Sequence, residues 1–400
     1  MAADSRPKEH QLSDMRVIDG DTHLSEPPDL FTSRLPKKWQ GQAPRVEVNE
    51  VGEHRWRVGQ SWLGPVAAMS VAGAVDVPAR WEDVDPACYE REARLRWMDA
   101  NGIHTQVLYP NVVAFEGHAI MALEDPELKL ACIRANNDHF AEFAAGTNDR
   151  FIALASMPFW DIDASITEME RCAEAGHRGV VWAATLVKHG LPATTDPYWD
   201  RFYGAAQAMG MSINFHVGVG YTEAQINIAN QRGGMVKTNP LDQAADQARR
   251  TALGFMSNGR TIADLIMSGL CDRFPDLNFV SVESGFGYVP YLLESLDWQW
   301  TNAGNNKRFP QRLLPSEYFR RQIYTMFWFE QDTLPLLALY PDNVLFETDF
   351  PHDTSLTPGP GSNAPRPKDL IDSHIETYGV DLMRRILQDN ATKLYRVGGQ

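Results

Sequence analysis

Eight apolar runs of strand length recur along the 400-residue chain, each separated from the next by a longer amphipathic stretch. They are "RVIDGD" from Arg16, "HTQVLYP" from His104, "FIALASM" from Phe151, "RGVVWA" from Arg178, "MSINFH" from Met211, "LNFVSVE" from Leu277, "QIYTMF" from Gln322 and "NVLFETD" from Asn343. Short apolar runs alternating with helical periodicity are the pattern of βα units rather than of sequential hairpins. Eight such units are the count of a closed (β/α)8 barrel, so the expected fold is α/β, with the whole of 1–400 forming one barrel domain.

Three stretches are longer than a minimal barrel needs. Residues from about Phe31 to Trp81 include "EVNEVGEHRWRVGQSWLG", where polar and apolar residues alternate around a glycine turn, and this predicts a small β insertion after the first strand. The stretch 221–258 after the fifth strand and the Pro/Gly-rich 357–369 after the eighth both fall on the loop side. Connections of that length at a barrel mouth read as lids or pocket walls rather than linkers.

Composition excludes several classes of function. The 44% hydrophobic and 22% charged residues are values of an ordinary globular protein. A formal net charge of −15 with no basic block argues against nucleic acid or an anionic membrane as a partner. The first fifteen residues hold no apolar segment of the secretory type, and no run approaches membrane-spanning length. Cys88, Cys132, Cys172 and Cys271 are widely spaced and form no C-x-x-C pair, so a reduced, cytoplasmic location is expected.

Barrel enzymes carry their chemistry at the carboxyl ends of the strands. Here the first strand ends in Asp21 and His23, with Glu26 three residues on; the fifth ends in His216; the sixth in Glu283; the eighth in Asp349, with His352 just beyond. Each has an ordinary reading as a cap or turn residue. Their occurrence together at four strand ends points instead to a site for a divalent cation of borderline to hard character, Zn, Mn or Fe. Trp182, His189 and Trp328 lie after the fourth and seventh strands and are expected to line a substrate pocket, whereas His54, His118, His139, His177 and His374 read as surface or packing residues.

The segments "DGDTHLSEP", "LRWMDANGIHTQVLYP", "GHRGVVW", "DRFPDLNFVSVESGFGYVPYLLESLD" and "NVLFETDFPHD" resemble, in order and over nearly the whole chain, the amidohydrolase-2 family of the amidohydrolase superfamily, the group that includes aminocarboxymuconate-semialdehyde decarboxylase. The resemblance implies that Asp21, His23, His216 and Asp349 are metal ligands. It implies a hydrolase or decarboxylase acting on a small carboxylated or carbonyl substrate through a metal-activated water, with Glu283, Asp349 and His352 as catalytic groups. Two departures add negative charge. Glu283 stands where the decarboxylases often have histidine, and Glu347-Thr348 stands where a Gly-Ser pair is usual. The fourth-strand run "RGVVWA" ends without a lysine suited to bridging two ions as a carbamate.

The carboxylate excess supports an alternative. Asp21, His23, Glu26, His216, Glu283, Asp349 and His352 are enough ligands for a dinuclear Fe or Fe/Mn centre, resembling the dinuclear monooxygenases of the same superfamily such as 2-aminoisobutyrate hydroxylase. A third reading is a metal-bearing partner subunit of such an enzyme. The expected partners are a small-molecule substrate and either a second copy, giving a dimer, or a related subunit in a hetero-oligomer.

Overall fold

The computed structural model describes residues 15–66, 70, 77–113, 118–183, 186–217, 240–359 and 361–398. The strands are β1 (Ile18–His23), β2 (Arg45–Val48), β3 (His54–Val58), β4 (Ser61–Pro65), β5 (Thr105–Tyr109), β6 (Phe151–Ala153), β7 (Ala155–Ser156), β8 (Gly179–Val181), β9 (Ser212–His216), β10 (Phe279–Val282), β11 (Ile323–Phe327) and β12 (Val344–Phe346). One parallel sheet runs in the order β6-β5-β1-β12-β11-β10-β9-β8-β7. Its two terminal members are separated only by Leu154, so they are halves of a single run and the sheet returns to its starting strand. Counting that run once leaves the eight strands of the expected barrel.

Each strand is followed by one or more helices on the outside, set by local signals. Asp125 and Asp161 cap the helices Pro126–Ala144 and Ile162–Glu174 by accepting backbone N–H bonds, and Gly210, at φ 63°, ends Asp200–Met209 in the left-handed region. The lumen is filled by alternate strand residues, among them Ile18, Val107, Tyr109, Val280, Tyr324 and Leu345, together with Leu394 and Tyr395 of the last helix, Asn390–Tyr395. That helix closes the amino-terminal end of the barrel, where Arg178 donates to the Tyr395 carbonyl. Inside, the Tyr395 hydroxyl donates to Asn214 Oδ1 at 3.0 Å.

One irregularity in β1 determines what faces the lumen. Asp19 pairs with Gln106 and Thr22 with Leu108, so three steps along β1 match two along β5. This is a β-bulge, and it reverses the alternation. Ile18 points inward before it; after it Asp21 and His23 do so, while the Thr22 hydroxyl turns away to the Val107 carbonyl. Gly20 sits in the bulge, where an added Cβ would lie 3.1 Å from the Phe346 carbonyl oxygen and 3.2 Å from Met326 Cε.

After β1 the strands β2, β3 and β4 form a separate antiparallel sheet. Trp56 and Val58 anchor it in an apolar cluster with Phe31, Leu35, Val112 and Val113, the last two from the β5 exit, so the insertion leans over that side of the barrel mouth. Of the stretch 221–258, residues 221–239 lie outside the described residues, and Pro240–Phe255 is helical. Among the described residues no helix is long and apolar enough to cross a membrane.

Candidate metal centre

Six of the residues singled out in the sequence meet at the carboxyl end of the barrel. Asp21, His23 and His216 form one group whose ligand atoms lie within 4.8 Å of one another; His23, Asp349 and His352 form a second, and Asp21, Glu283 and Asp349 a third. His23 Nε2 lies 3.3 Å from His216 Nε2 and 3.5 Å from both Asp21 Oδ1 and Asp349 Oδ1. His216 Nε2 is 3.5 Å from Asp21 Oδ2 and 3.4 Å from Glu283 Oε2. Ligands bound about 2.0–2.1 Å from one cation stand about 3.0–3.4 Å apart, and the observed separations are of that size.

The tips of β10 and β12 aim their carboxylates by unusual backbone geometry. Glu283 has φ 49° and Asp349 φ 56°, both in the left-handed region. Non-glycine residues held there concentrate at functional sites. The Glu283 N–H donates to Glu347 Oε2 at 3.0 Å. Thr354 Oγ1 joins the two tips, with Glu283 Oε1 at 3.1 Å and Asp349 Oδ2 as its second partner. His216 Nδ1 faces the Val217 carbonyl at 3.1 Å, which leaves the Nε2 lone pair for the cluster.

The electrostatics call for a cation. Burial pushes the carboxyls of Asp21, Glu283, Glu347 and Asp349 well above the usual carboxylate range, and repulsion from neighbouring carboxylates, Asp19 in the case of Asp21, adds to it. Burial likewise lowers His23 far below its ordinary value, helped by His352 and His216, and takes His352 down to about 3. Both oxygens of Asp21 are buried without a hydrogen-bond partner. Buried carboxylates normally have such partners or bind a metal. Orphaned oxygens beside two imidazole Nε2 atoms suit a divalent ion.

Glu26 is not part of this cluster. Its Oε1 accepts the backbone N–H groups of Asn111 and Val112, each at 2.8 Å, so it braces the β5 exit loop. Local spacing put Glu26, expected as a metal ligand, near His23; the structure sets its Oε1 on these two N–H groups and does not bring it among the grouped ligand atoms. Trp182, expected to line the substrate pocket, is buried in the packing outside the strand. Val181 faces the lumen, so alternation turns Trp182 outward, where it stacks on Phe202 at 4.0 Å and bonds the Tyr203 hydroxyl at 3.2 Å. His189 is half-buried with its ring 5.2 Å from Phe159, and Trp328 is buried against Phe255 at 5.3 Å.

Three residues with roles around the cluster carried no strong sequence signal. Asn111, directly after "LYP", has Oδ1 2.9 Å from His352 Nε2, while His352 Nδ1 lies 2.9 Å from Asp349 Oδ1. Thr354 lies two residues past His352. Arg94 is fully buried on the first helix after the insertion, donates to the His23 carbonyl and lies 4.5 Å over the Phe350 ring. Beneath β12, Asp19 accepts from Thr348 N at 2.8 Å and Thr348 Oγ1 at 2.6 Å, tying β1 to the turn that carries Asp349.

The comparisons with known proteins agree with this architecture. The chain is 27% identical over 274 residues to a gamma-resorcylate decarboxylase of Rhizobium sp. (strain MTP-10005), covering 66% of this chain and 77% of that protein. Its structure is similar to that of an amidohydrolase from Mycobacterium avium subsp. paratuberculosis K-10, with TM-score 0.71 and 24% identity over 96% of this chain and 99% of the other. It is also similar to a dihydroxybenzoic acid decarboxylase from Polaromonas sp. JS666 solved with bound manganese and 2-nitroresorcinol, with TM-score 0.60 and 19% identity over 96% and 98% of the two chains. The family model described as Amidohydrolase matches residues 18–397, from the first barrel strand to the closing helix, and the chain belongs to that family.

Proposed function

We propose that this enzyme is a decarboxylase of one-ring aromatic carboxylates that uses a single divalent cation, manganese by preference, held by Asp21, His23, His216 and Asp349. The observation that carries the reading is the convergence of the orphaned Asp21 oxygens with the Nε2 atoms of His23 and His216 at the barrel mouth. Relatives named as resorcylate and dihydroxybenzoic acid decarboxylases, one of them solved with manganese, support the substrate class and the metal. The dinuclear monooxygenase alternative loses a ligand, because Glu26 is committed to the backbone of Asn111 and Val112.

When bound, the cation would supply Lewis-acid charge that orients the substrate carboxylate and withdraws electrons from the ring. The remaining chemistry belongs to the protein. Loss of CO2 breaks the bond between ring and carboxyl carbon and leaves its electron pair on the ring, so one proton must reach that carbon. Glu283 and Asp349 stand side by side at the mouth, joined by Thr354, and are the acids placed to deliver it. His352, between Asp349 and Asn111, orients the Asp349 carboxyl. The four cysteines are free and buried, which supports the cytoplasmic assignment.

The test is to load the protein with Mn2+, add 2,6-dihydroxybenzoate, and follow CO2 release and oxygen consumption together. CO2 without oxygen uptake is expected, and substrate-dependent oxygen uptake would overturn the proposal in favour of a monooxygenase. Glu283→Gln is expected to abolish turnover with metal content unchanged. A halved metal content would place a second ion at Glu283.

A further inference from the structure

Arg94 lies fully buried on the helix Arg91–Ala100. Its Nε and Nη1 find no hydrogen-bond partner among the described residues, and Nη2 donates to the His23 carbonyl rather than to a carboxylate. Asp19 and Asp85 attract it from beyond ion-pair reach. An arginine keeps its charge at physiological pH, and a buried charge without a bonded counter-charge is strongly unfavourable. A side chain that lowers stability where it stands points to a purpose other than stability. What Arg94 does touch shows that purpose. Its Cζ lies 4.5 Å over the Phe350 ring, and Trp97, three residues on along the same helix, stacks on that ring at 4.0 Å with the planes 28° apart. Residues i and i+3 share one helix face, so a single face grips Phe350. Phe350 directly follows Asp349, whose φ of 56° lies in the left-handed region. Such a conformation persists only where its surroundings over-determine it. Both neighbours of Asp349 are held. Asp19 accepts from Thr348 N and Oγ1 on one side; on the other, Phe350 is gripped by Arg94 and Trp97 while its carbonyl accepts the His23 N–H at 2.7 Å.

We propose that Arg94 is a positioning residue of the metal centre: its guanidinium, bonded to the His23 carbonyl and stacked on Phe350, fixes the ligands of β1 and β12 relative to each other. The proposal rests on the reading that Asp21, His23, His216 and Asp349 hold a divalent cation, and is independent of the reaction. The role is geometric rather than electrostatic, and the two have opposite signs. A positive charge beside a bound dication repels it, so loss of the charge alone would tighten Mn2+ binding. Loss of the clamp frees the His23 carbonyl and the Phe350 ring to shift, which carries His23 and Asp349 out of register and weakens binding.

The experiment titrates Mn2+ calorimetrically into the metal-free full chain and records the thermal melt of the same metal-free protein, for the unsubstituted chain, Arg94→Met, Arg94→Lys and Trp97→Leu. Arg94→Met is expected to weaken Mn2+ binding about 10-fold to 100-fold, the range for groups that hold metal ligands from behind. Its melting midpoint is expected to stay level or rise, because an apolar side chain of similar length removes the desolvation cost of the unpaired charge. Arg94→Lys keeps the charge but not the planar donor fork, so its affinity is expected to fall as well. Trp97→Leu loosens the same grip with Arg94 in place and is expected to lower affinity by a smaller factor. Tighter Mn2+ binding in Arg94→Met would show that the charge matters and the clamp does not, and would overturn the proposal. A lowered melting midpoint with unchanged affinity would mark a purely structural arginine and overturn it equally. If neither Arg94 variant folds, Trp97→Leu decides, and unchanged affinity there is the overturning result. An unsubstituted protein that binds no Mn2+ refutes the cation reading itself, and the clamp with it.

Discussion

Glu347, directly after the last barrel strand, holds the Glu283 backbone in place. Its Oε2 accepts the Glu283 N–H at 3.0 Å, while Glu283 sits at φ 49°. A left-handed non-glycine residue costs about 1–2 kcal/mol, and leaving a buried N–H without its acceptor costs about 1–3 kcal/mol. The two are of similar size, so the bond suffices to keep the Glu283 carboxylate turned to His216, and without it the turn is free to relax. Glu347→Ala should therefore lower the rate of CO2 release by about 10-fold to 100-fold, since each 1.4 kcal/mol is tenfold. Glu347→Gln retains an acceptor oxygen of the same reach and should stay within about threefold of the parent. The assay is the initial rate with 2,6-dihydroxybenzoate in manganese-loaded protein, with metal content measured in parallel. If Gln is as defective as Ala, the charge of Glu347 rather than its acceptor oxygen is what matters, and the positioning argument is wrong.

Removing a ligand tests the cluster directly: His23→Ala should strip most of the bound metal, measured by elemental analysis, because β1 supplies two of the four proposed ligands from one rigid element, and full retention of metal would refute the assignment. Gly20→Val should destabilise the protein by about 1–3 kcal/mol in a denaturant titration and weaken manganese binding, since its side chain would press on the Phe346 carbonyl and Met326. The metal-free protein should lose stability as pH rises above about 6.5, because the folded Asp21, Glu283, Glu347 and Asp349, with raised pKa values, keep protons that the unfolded chain has released, at about 1.4 kcal/mol per pH unit for each proton retained. Below the ordinary histidine value of 6.5 the lowered His23 and His352 act in the opposite sense, so thermal melts between pH 6.5 and 8.5 isolate the carboxyls; a flat or rising midpoint there would contradict the buried-acid arrangement, and added Mn2+ should flatten the fall.

The eight strands were legible in the sequence because a strand buried on both faces must be apolar along its length, whatever its neighbours are. The same holds for the clustering of Asp21, His23, His216, Glu283, Asp349 and His352, since a parallel barrel brings every strand's carboxyl end to one rim regardless of side-chain detail. Which way each side chain points was another matter. Asp21 and His23 face the lumen only because the bulge at Gly20 reverses the alternation of β1 against β5. Trp182 faces away because Val181 has the inward place. Glu26 lies as near His23 in sequence as His352 lies to Asp349, yet only His352 reaches the cluster, because Glu26 meets two free N–H groups on the β5 exit first. Asn111 and His352 are partners across 241 residues, a pairing that no local spacing encodes. Apolar pattern and strand-end chemistry are properties of the chain within a few residues; orientation and hydrogen-bond choice depend on register between segments far apart, and those are decided only when the barrel closes.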